Sequence, residues 1–436
     1  MVDANRGSVP SMQETFMQMA KAAGLRGRIL LTIGILLLVR FGVHVPIPNI
    51  NRAAFGASLQ GSPLFGLVDI FSGGGIAALG VFALGILPYI NASIIMQLLT
   101  GALPSLEKLQ KEEGEAGRRK ISAYTRYLTL FWAVIQSIGV SVWVLGYRTV
   151  PSEVSFIVGT TLALTAGAMF VTWLGELITE RGIGNGASLL IFINIVATLP
   201  RSFSQTIGLI RADSSKVGGL LILLVVLLVM IVGIVFVQEG TRRIPIISAK
   251  RQVGRLVSME QRNYLPLRLN QSGVMPIIFA SSILFLPATI AQSFGNEQLI
   301  RLANLLSPSS PQPWVYLLVY LTLILFFSYF YTSMLFNPVD IAQNLKKAGT
   351  SIPGIRPGKA TSEYLEGVLN RLTFLGAIFL GAVAILPTAV ERATGVTTFQ
   401  GLGATSLLIL VGVAIDTARQ IQTYVISQRY EGMVKA

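Results

Sequence analysis

Six stretches of the chain, at 127–147, 154–175, 217–237, 273–291, 315–336 and 372–390, carry no charged side chain at all. A helix rises 1.5 Å per residue, so about 20 apolar residues cross the roughly 30 Å hydrocarbon of a bilayer. In lipid every backbone polar group must be satisfied internally, which leaves such stretches little option but helix. Four further windows belong with them: 76–100, interrupted by Pro88; 29–47, apolar apart from Arg40 and His44; 396–415; and 186–200, short but bounded by Arg181 and Arg201. The expectation is an all-α integral membrane protein with ten transmembrane helices. Only 12% of the 436 residues are charged, against roughly 25% in soluble domains, so there is too little charge to coat a water-facing surface.

Ten spans sort the connections into two sets. Residues 1–28, 101–125, 179–185, 238–272, 336–363 and the tail from Arg419 hold 24 of the 34 lysines and arginines. The opposite set holds Arg52, Arg148, Arg201, Arg211, Lys216, Arg301 and Arg392, and Arg40, Arg126 and Arg371 lie within or at the ends of spans. The positive-inside rule places the first set, and with it both termini, in the cytoplasm. An even count also permits two halves of five, 29–201 and 218–424, joined by an external hinge loop at 202–217. Halves with an odd number of spans enter from opposite sides and form an inverted pseudo-repeat. Residues 1–28 do not read as a cleavable signal; Met12, Phe16, Met19 and Ala23 recur at helical spacing, as a surface helix or as ordinary helix packing would. Residues 425–436 form a cytoplasmic tail.

There is no cysteine and a single histidine, His44. Thiolate chemistry is excluded and one imidazole makes no zinc site, so neither an enzyme nor a metal or cofactor site is expected. Ion-coupled transporters bury ionisable groups at mid-membrane. Here the centres of the spans lack them: Glu176 and Asp416 lie near cytoplasmic ends, and Arg40 lies far enough out to snorkel. A secondary transporter with an inverted repeat is the rival from another class, and this absence counts against it.

Residues 62–75 (SPLFGLVDIFSGGG) form a half-length apolar piece ending in Gly73, Gly74 and Gly75. It cannot span, and it reads either as an interfacial segment or as one that swings on its glycines. Ile86 and Ile90 stand four apart and share a helical face; Asn91 and Gln136 are mid-membrane polar groups of the kind that bond helices together. Cytoplasmic residues 238–272 carry seven basic side chains, and 336–363 carry four more beside Pro353 and Pro357. Projecting basic loops suit a polyanion, an acidic protein surface or anionic lipid.

The segments GELITERGIGNG (175–186), FSGGG, ALGILPYINASII (83–95), EGEAGRRKISAYTRY (113–127), NLKKAG and PGIRPG (353–358) resemble the SecY family, the central subunits of bacterial-type protein translocases. The likeness runs in order from about residue 25 to about residue 432. It implies a clamshell of two five-helix halves around an hourglass pore that conducts unfolded secretory polypeptides and releases hydrophobic segments sideways into lipid. On that pattern Ile86, Ile90, Ile191, Ile278 and Ile409 form the pore ring. Leu64, Phe65, Leu67, Val68, Ile70, Phe71, Gly73, Gly74 and Gly75 belong to a plug in the outer funnel, and Asn91 and Gln136 tune a lateral gate formed by the second and seventh spans with the third and eighth beside them. Arg356 is the first candidate for contact with a ribosome or a SecA-type motor, with Lys250, Arg251, Arg255, Lys346 and Lys347 behind it. The implied partners are SecE- and SecG-type small membrane subunits, a SecA-type ATPase, the ribosome with its RNA and proteins, signal peptides and nascent chains, and anionic lipids. The implied place is the plasma (inner) membrane, or a second energised internal membrane. Two departures stand out: Ala187 replaces an isoleucine common in relatives, and the tail after Tyr430 is short.

Overall fold

The computed structural model describes residues 23–52, 54–55, 72–111, 113–213, 216–248, 252–253, 256–257, 262–294, 298, 301, 305–306, 313–394 and 404–435. In chain order the helices are α1 (Ala23–His44), α2 (Gly75–Ala78), α3 (Leu87–Ala102), α4 (Pro104–Lys111), α5 (Gly114–Trp143), α6 (Glu153–Arg181), α7 (Gly186–Ala212), α8 (Val217–Glu239), α9 (Met275–Phe294), α10 (Pro313–Leu335), α11 (Pro338–Lys347), α12 (Lys359–Thr394) and α13 (Ala404–Lys435). Strands β1 (Thr241–Ser248), β2 (Gln252–Val253), β3 (Leu256–Val257), β4 (Arg262–Arg268) and β5 (Thr350–Ser351) lie between α8 and α12. Among the described residues each of the ten apolar windows falls wholly or in part on a helix: α1, α3, α5 to α10, α12 and α13. Among the described residues six helices are by themselves long and apolar enough to cross a bilayer. The remaining windows lie on helices that are shorter or that carry polar ends.

The 76–100 window is not one helix. After the four-residue α2 the chain turns through 79–86, with Leu79 at φ 45° and Gly85 at φ 52°, and α3 begins only at Leu87. Pro88 is therefore no interruption. It occupies the first turn of α3, where its missing N–H costs nothing. At the far end α3 bends by 103° into α4. The connection read as a loop over 202–217 is helical as far as Ala212, since α7 continues past Pro200.

The chain divides into two compact units. The first comprises Met1–Ser93, Ser122–Leu199 and Val413–Ala436. In it Ile47, Ile76, Ala83, Leu84, Ala133, Leu164 and Ala168 form one core. A second cluster gathers Leu79, Val144 and Phe156 around Phe55, whose ring meets Trp143 and Tyr147 edge-on at 4.9 and 5.4 Å. The helices approach closely because small residues stand at the crossings. A Cβ on Gly186 would run into the Gly175 carbonyl, and one on Gly80 into the Val43 carbonyl. Hydroxyls join α5 to α6: Thr165 donates to Ser137 at 3.0 Å, and Ser141 and Thr161 lie 3.2 Å apart.

The second unit comprises Ile94–Ile121 and Pro200–Gly412. There α9 packs on α10, α10 on α12, and α8 on α12. Of α8 only Leu223, Met230, Ile234 and Gln238 are buried; the first three lie on one helical face, and the rest of this apolar helix is open to lipid or to another apolar helix. The 238–272 connection is no irregular loop. Its strands β1 and β4 pair antiparallel from Thr241↔Arg268 to Ile247↔Arg262. Inward-facing Ile244 and Leu267 pack with Ile352, Leu365, Val368, Leu369 and Leu372 at the base of α12. The period-2 alternation that gives a half-buried strand is present in TRRIPIIS, with Ile244 and Ile246 buried and Arg243 and Pro245 exposed.

Candidate functional site

The five isoleucines of the expected ring fall on different elements, and each is buried. In the first unit Ile86 is the last residue before α3. Its carbonyl accepts the N–H of Ile90 at 3.1 Å, which stacks the two side chains one turn apart at 2% and 5% exposure. Ile191, on the first turns of α7, is likewise buried. The Ile86 Cδ1 and the Leu190 Cδ1 each lie 3.2 Å from where a Cβ on Gly175 would stand, a tight contact. This glycine of the GELITERGIGNG segment therefore makes the room that Ile86 occupies. In the second unit Ile278 lies on the first turns of α9 and Ile409 on those of α13, and both are buried. The same local device follows two of these isoleucines. Ser93 donates to the Ile90 carbonyl and Ser281 to the Ile278 carbonyl, each at 2.9 Å. The serine hydroxyl proton is thus satisfied within its own helix.

The polar candidates differ in kind. Asn91 is buried on α3. Gln136, half-buried on α5, has a side-chain oxygen that is enclosed without a hydrogen-bond partner. Among the described residues the buried set contains one charged side chain, Glu391 near the end of α12. Ala187 is half-buried beside Gly175. Of the expected plug, Leu64, Phe65, Leu67, Val68, Ile70 and Phe71 lie outside the described residues, while Gly73, Gly74 and Gly75 lie within them. Gly73 and Gly74 adopt φ of 66° and 86°, a region glycine enters freely.

Arg40 adds to the sequence expectation. Beyond lying near the end of its span, it has a specific partner: its Nη1 donates to the Gly73 carbonyl at 2.8 Å. Nothing in the local pattern of α1 pointed to that partner, because the two residues lie 33 positions apart.

The two basic connections form one body within the second unit. Strand β1 pairs with β4 on one edge and with β5 on the other, through Ile247↔Ser351 and Ser248↔Thr350. Lys346 and Lys347 are exposed at the end of α11, a helix capped by Asn337, whose side chain accepts the Val339 N–H, and their charges favour its C-terminus. Arg356 is exposed in the turn that follows, between Gly354 at φ 79° and Gly358 at φ 111°. The Arg356 carbonyl accepts the Thr361 hydroxyl at 2.9 Å. Arg242, Arg243 and Arg268 are exposed on the adjoining strands. The structure therefore brings Lys346, Lys347 and Arg356 onto one support with Arg242, Arg243 and Arg268, whose places on strands the count of basic residues alone does not show. The alternation in TRRIPIIS was the signal that could have found them. Lys250, Arg251 and Arg255 lie outside the described residues, as does most of the amphipathic N-terminal segment.

Comparison with known proteins accords with this arrangement. The SecY family model matches residues 80–418. The protein translocase subunit SecY of Synechococcus elongatus is 67% identical over 436 residues, covering 99% of each chain. That of Aquifex aeolicus is 45% identical, over 97% of this chain and all of its own. Among solved structures, one described as a protein conducting channel superposes with a TM-score of 0.66 at 16% identity, over 94% of this chain and 95% of that one. Sec61 in the canine ribosome-channel complex from the endoplasmic reticulum gives a TM-score of 0.64 at 16% identity over the same shares. At that identity the solved structures speak for the fold, while the sequence relatives and the family model speak for kinship. The chain belongs to the SecY family: it is a multi-pass membrane channel subunit of a protein translocase, and not an enzyme.

Proposed function

We propose that the chain passes unfolded secretory polypeptides through a waist lined by Ile86, Ile90, Ile191, Ile278 and Ile409, and releases hydrophobic segments sideways into lipid. A ribosome or a SecA-type motor supplies the drive. The observation that carries this reading is that all five are buried, branched and aliphatic, in spans whose centres lack charge. Such side chains hold a neck poorly wetted and hinder ions. They form no fixed hydrogen bonds, so they yield around any passing sequence and close again. A ring of polar groups would bind some chains and carry protons.

The drive enters through the basic body of β1, β4, β5 and α11, whose exposed cations suit an RNA backbone or an acidic protein face in turn. SecE- and SecG-type subunits cover apolar faces such as that of α8, anionic lipid contacts the cytoplasmic cations, and both termini are cytoplasmic. The sideways exit lies along the second and seventh spans. The enclosed oxygen of Gln136 costs about 1–3 kcal/mol while it lacks a donor, so Gln136→Leu is expected to stabilise the closed channel by about 1 kcal/mol. The check is a higher thermal transition together with a lower fraction of marginally hydrophobic segments released into lipid. A variant that melts earlier and releases segments as before would remove Gln136 from the gate.

The absence of cysteine makes a clean test of the waist possible. A cysteine placed at Ile90 or Ile278 is expected to crosslink to a stalled secretory chain, and one at Phe330 is not. The Phe330 ring instead packs over Gly101, with its nearest atom 3.2 Å from where a Cβ there would stand. Equal labelling at all three positions would defeat the pore assignment. Accumulation of a small solute on an ion gradient by the purified protein in vesicles would favour a secondary transporter instead.

A further inference from the structure

We propose that Thr32 and Gln420 are positioning residues that hold the 182–186 turn from two distant helices and so set where Ile191 stands. The inference rests on the reading of Ile191 as a waist residue.

The turn closes the GELITERGIGNG segment, and with glycine at 182, 184 and 186 it is soft by itself. Gly184 stands at φ 85°. The N–H groups of Ile183, Gly184 and Gly186 each bond a side-chain oxygen, and each oxygen comes from a different helix. Thr32 of α1 accepts from Ile183 at 3.1 Å, Gln420 of α13 from Gly184 at 2.9 Å, and Thr179 of α6 from Gly186 at 2.9 Å. Thr179 is a near neighbour in the chain, whereas Thr32 and Gln420 lie 151 and 236 positions from the groups they hold.

The distant acceptors are themselves fixed. The Thr32 hydroxyl donates to the Arg28 carbonyl at 2.8 Å, which leaves its oxygen free to accept from the turn. Gln420 shares a face of α13 with Thr417 and Tyr424, on the part of that helix that belongs to the first unit. The Thr417 Oγ1 stands 3.4 Å from where a Cβ on Gly184 would be, and the Arg28 guanidinium lies 5.0 Å from the centre of the Tyr424 ring, a cation–π contact. What the turn positions is the start of α7. Asn185 caps that helix: its side chain accepts the Ser188 N–H at 3.3 Å, and its carbonyl accepts the Leu189 N–H at 2.9 Å. Leu190 then fills the space over Gly175 with Ile86, and Ile191 follows. A shift of the turn carries Ile191 with it, because the i→i−4 bonds make the first turns of α7 move as one.

The test uses the full cysteine-free chain in vesicles that hold a stalled secretory polypeptide. Ile191→Cys and, as a reference in the second unit, Ile278→Cys report the yield of crosslinking to that polypeptide. Losing one neutral hydrogen bond shifts an equilibrium by about threefold to tenfold, and Gln420→Leu is expected to lower the yield at 191 by that factor while leaving the yield at 278 unchanged. Gln420→Glu keeps an acceptor at the same reach and is expected to restore the yield at 191. Gln420 is exposed, so replacing it empties no core. Thr32→Val keeps the shape of the side chain, withdraws the other distant acceptor and is expected to act as Gln420→Leu does. An unchanged yield at 191 in either variant removes that residue from the role, and in both it overturns the inference while the waist reading stands. A loss of equal size at 191 and 278 would mark a general loosening and overturn it as well. If neither cysteine crosslinks in the otherwise unsubstituted chain, the waist reading falls, and this inference with it.

Discussion

Arg356→Glu is expected to abolish motor-driven export while the protein still inserts and assembles. The side chain is exposed, and the turn that carries it is fixed by its backbone: the Ile355 N–H bonds the Ile352 carbonyl at 3.1 Å and the Thr361 hydroxyl bonds the Arg356 carbonyl at 2.9 Å. Neither contact involves the guanidinium, so reversing the charge leaves the turn intact. What changes is the field presented to a partner. Close charge pairs at interfaces couple by about 1.5–7 kcal/mol, and a repulsion replaces an attraction. The loss is expected to exceed about thirtyfold in partner affinity. Binding of the motor to vesicles, with export of a radiolabelled precursor measured on the same vesicles, checks both halves. Undiminished export would remove Arg356 from the docking surface. Arg356→Lys, which keeps the charge and loses the fork, is expected to fall in between.

The other large effect concerns stability. Gly186→Ala inserts one methyl group where the Gly175 carbonyl already stands, and in the same crossing the Ile86 and Leu190 side chains fill the space over Gly175. The obstacle is backbone rather than the end of a flexible side chain, so α6 and α7 must part. Overpacking costs about 1–3 kcal/mol and sometimes more, and a helix-to-helix backbone contact belongs at the upper end. A destabilisation of about 3 kcal/mol or more is expected, seen as poor accumulation in the membrane and an early thermal transition in detergent. Gly159, also on α6, has nothing within 4 Å of its would-be Cβ. Gly159→Ala is therefore expected to be neutral or to stabilise by about 0.5–1 kcal/mol through helix propensity. Equal behaviour of the two variants would refute the close crossing.

The contrast between these glycines shows where reading a sequence stops. Both sit in apolar windows and look alike as letters; only the approach of another helix makes one indispensable. Pro88 illustrates the same limit from the other side. A proline within an apolar run reads as an interruption, but whether it kinks a helix or begins one depends on where the preceding chain turns. Here Leu79 and Gly85 take positive φ and move the start to Leu87. The position of Arg40 near a span end says that it can snorkel, and not what it bonds. Its true partner is a carbonyl 33 residues away, and no local rule reports a contact of that range. The basic character of the two connections was legible, whereas their union into a sheet β4–β1–β5 depends on a two-residue strand, Thr350–Ser351, too short to leave a pattern.

The number of helices, the gathering of basic residues into alternate connections and the lack of ionisable groups at mid-span follow from the order of residues alone. Each reflects the transfer of single residues between water and hydrocarbon, a cost every side chain meets whatever its neighbours. Tertiary structure alone decided which glycines are crossings, what Arg40 holds, and that two separate loops build one cationic surface. These depend on atoms brought within 3 or 4 Å from distant parts of the chain, and contacts of that range are set by the packing of whole helices rather than by any residue's own preference.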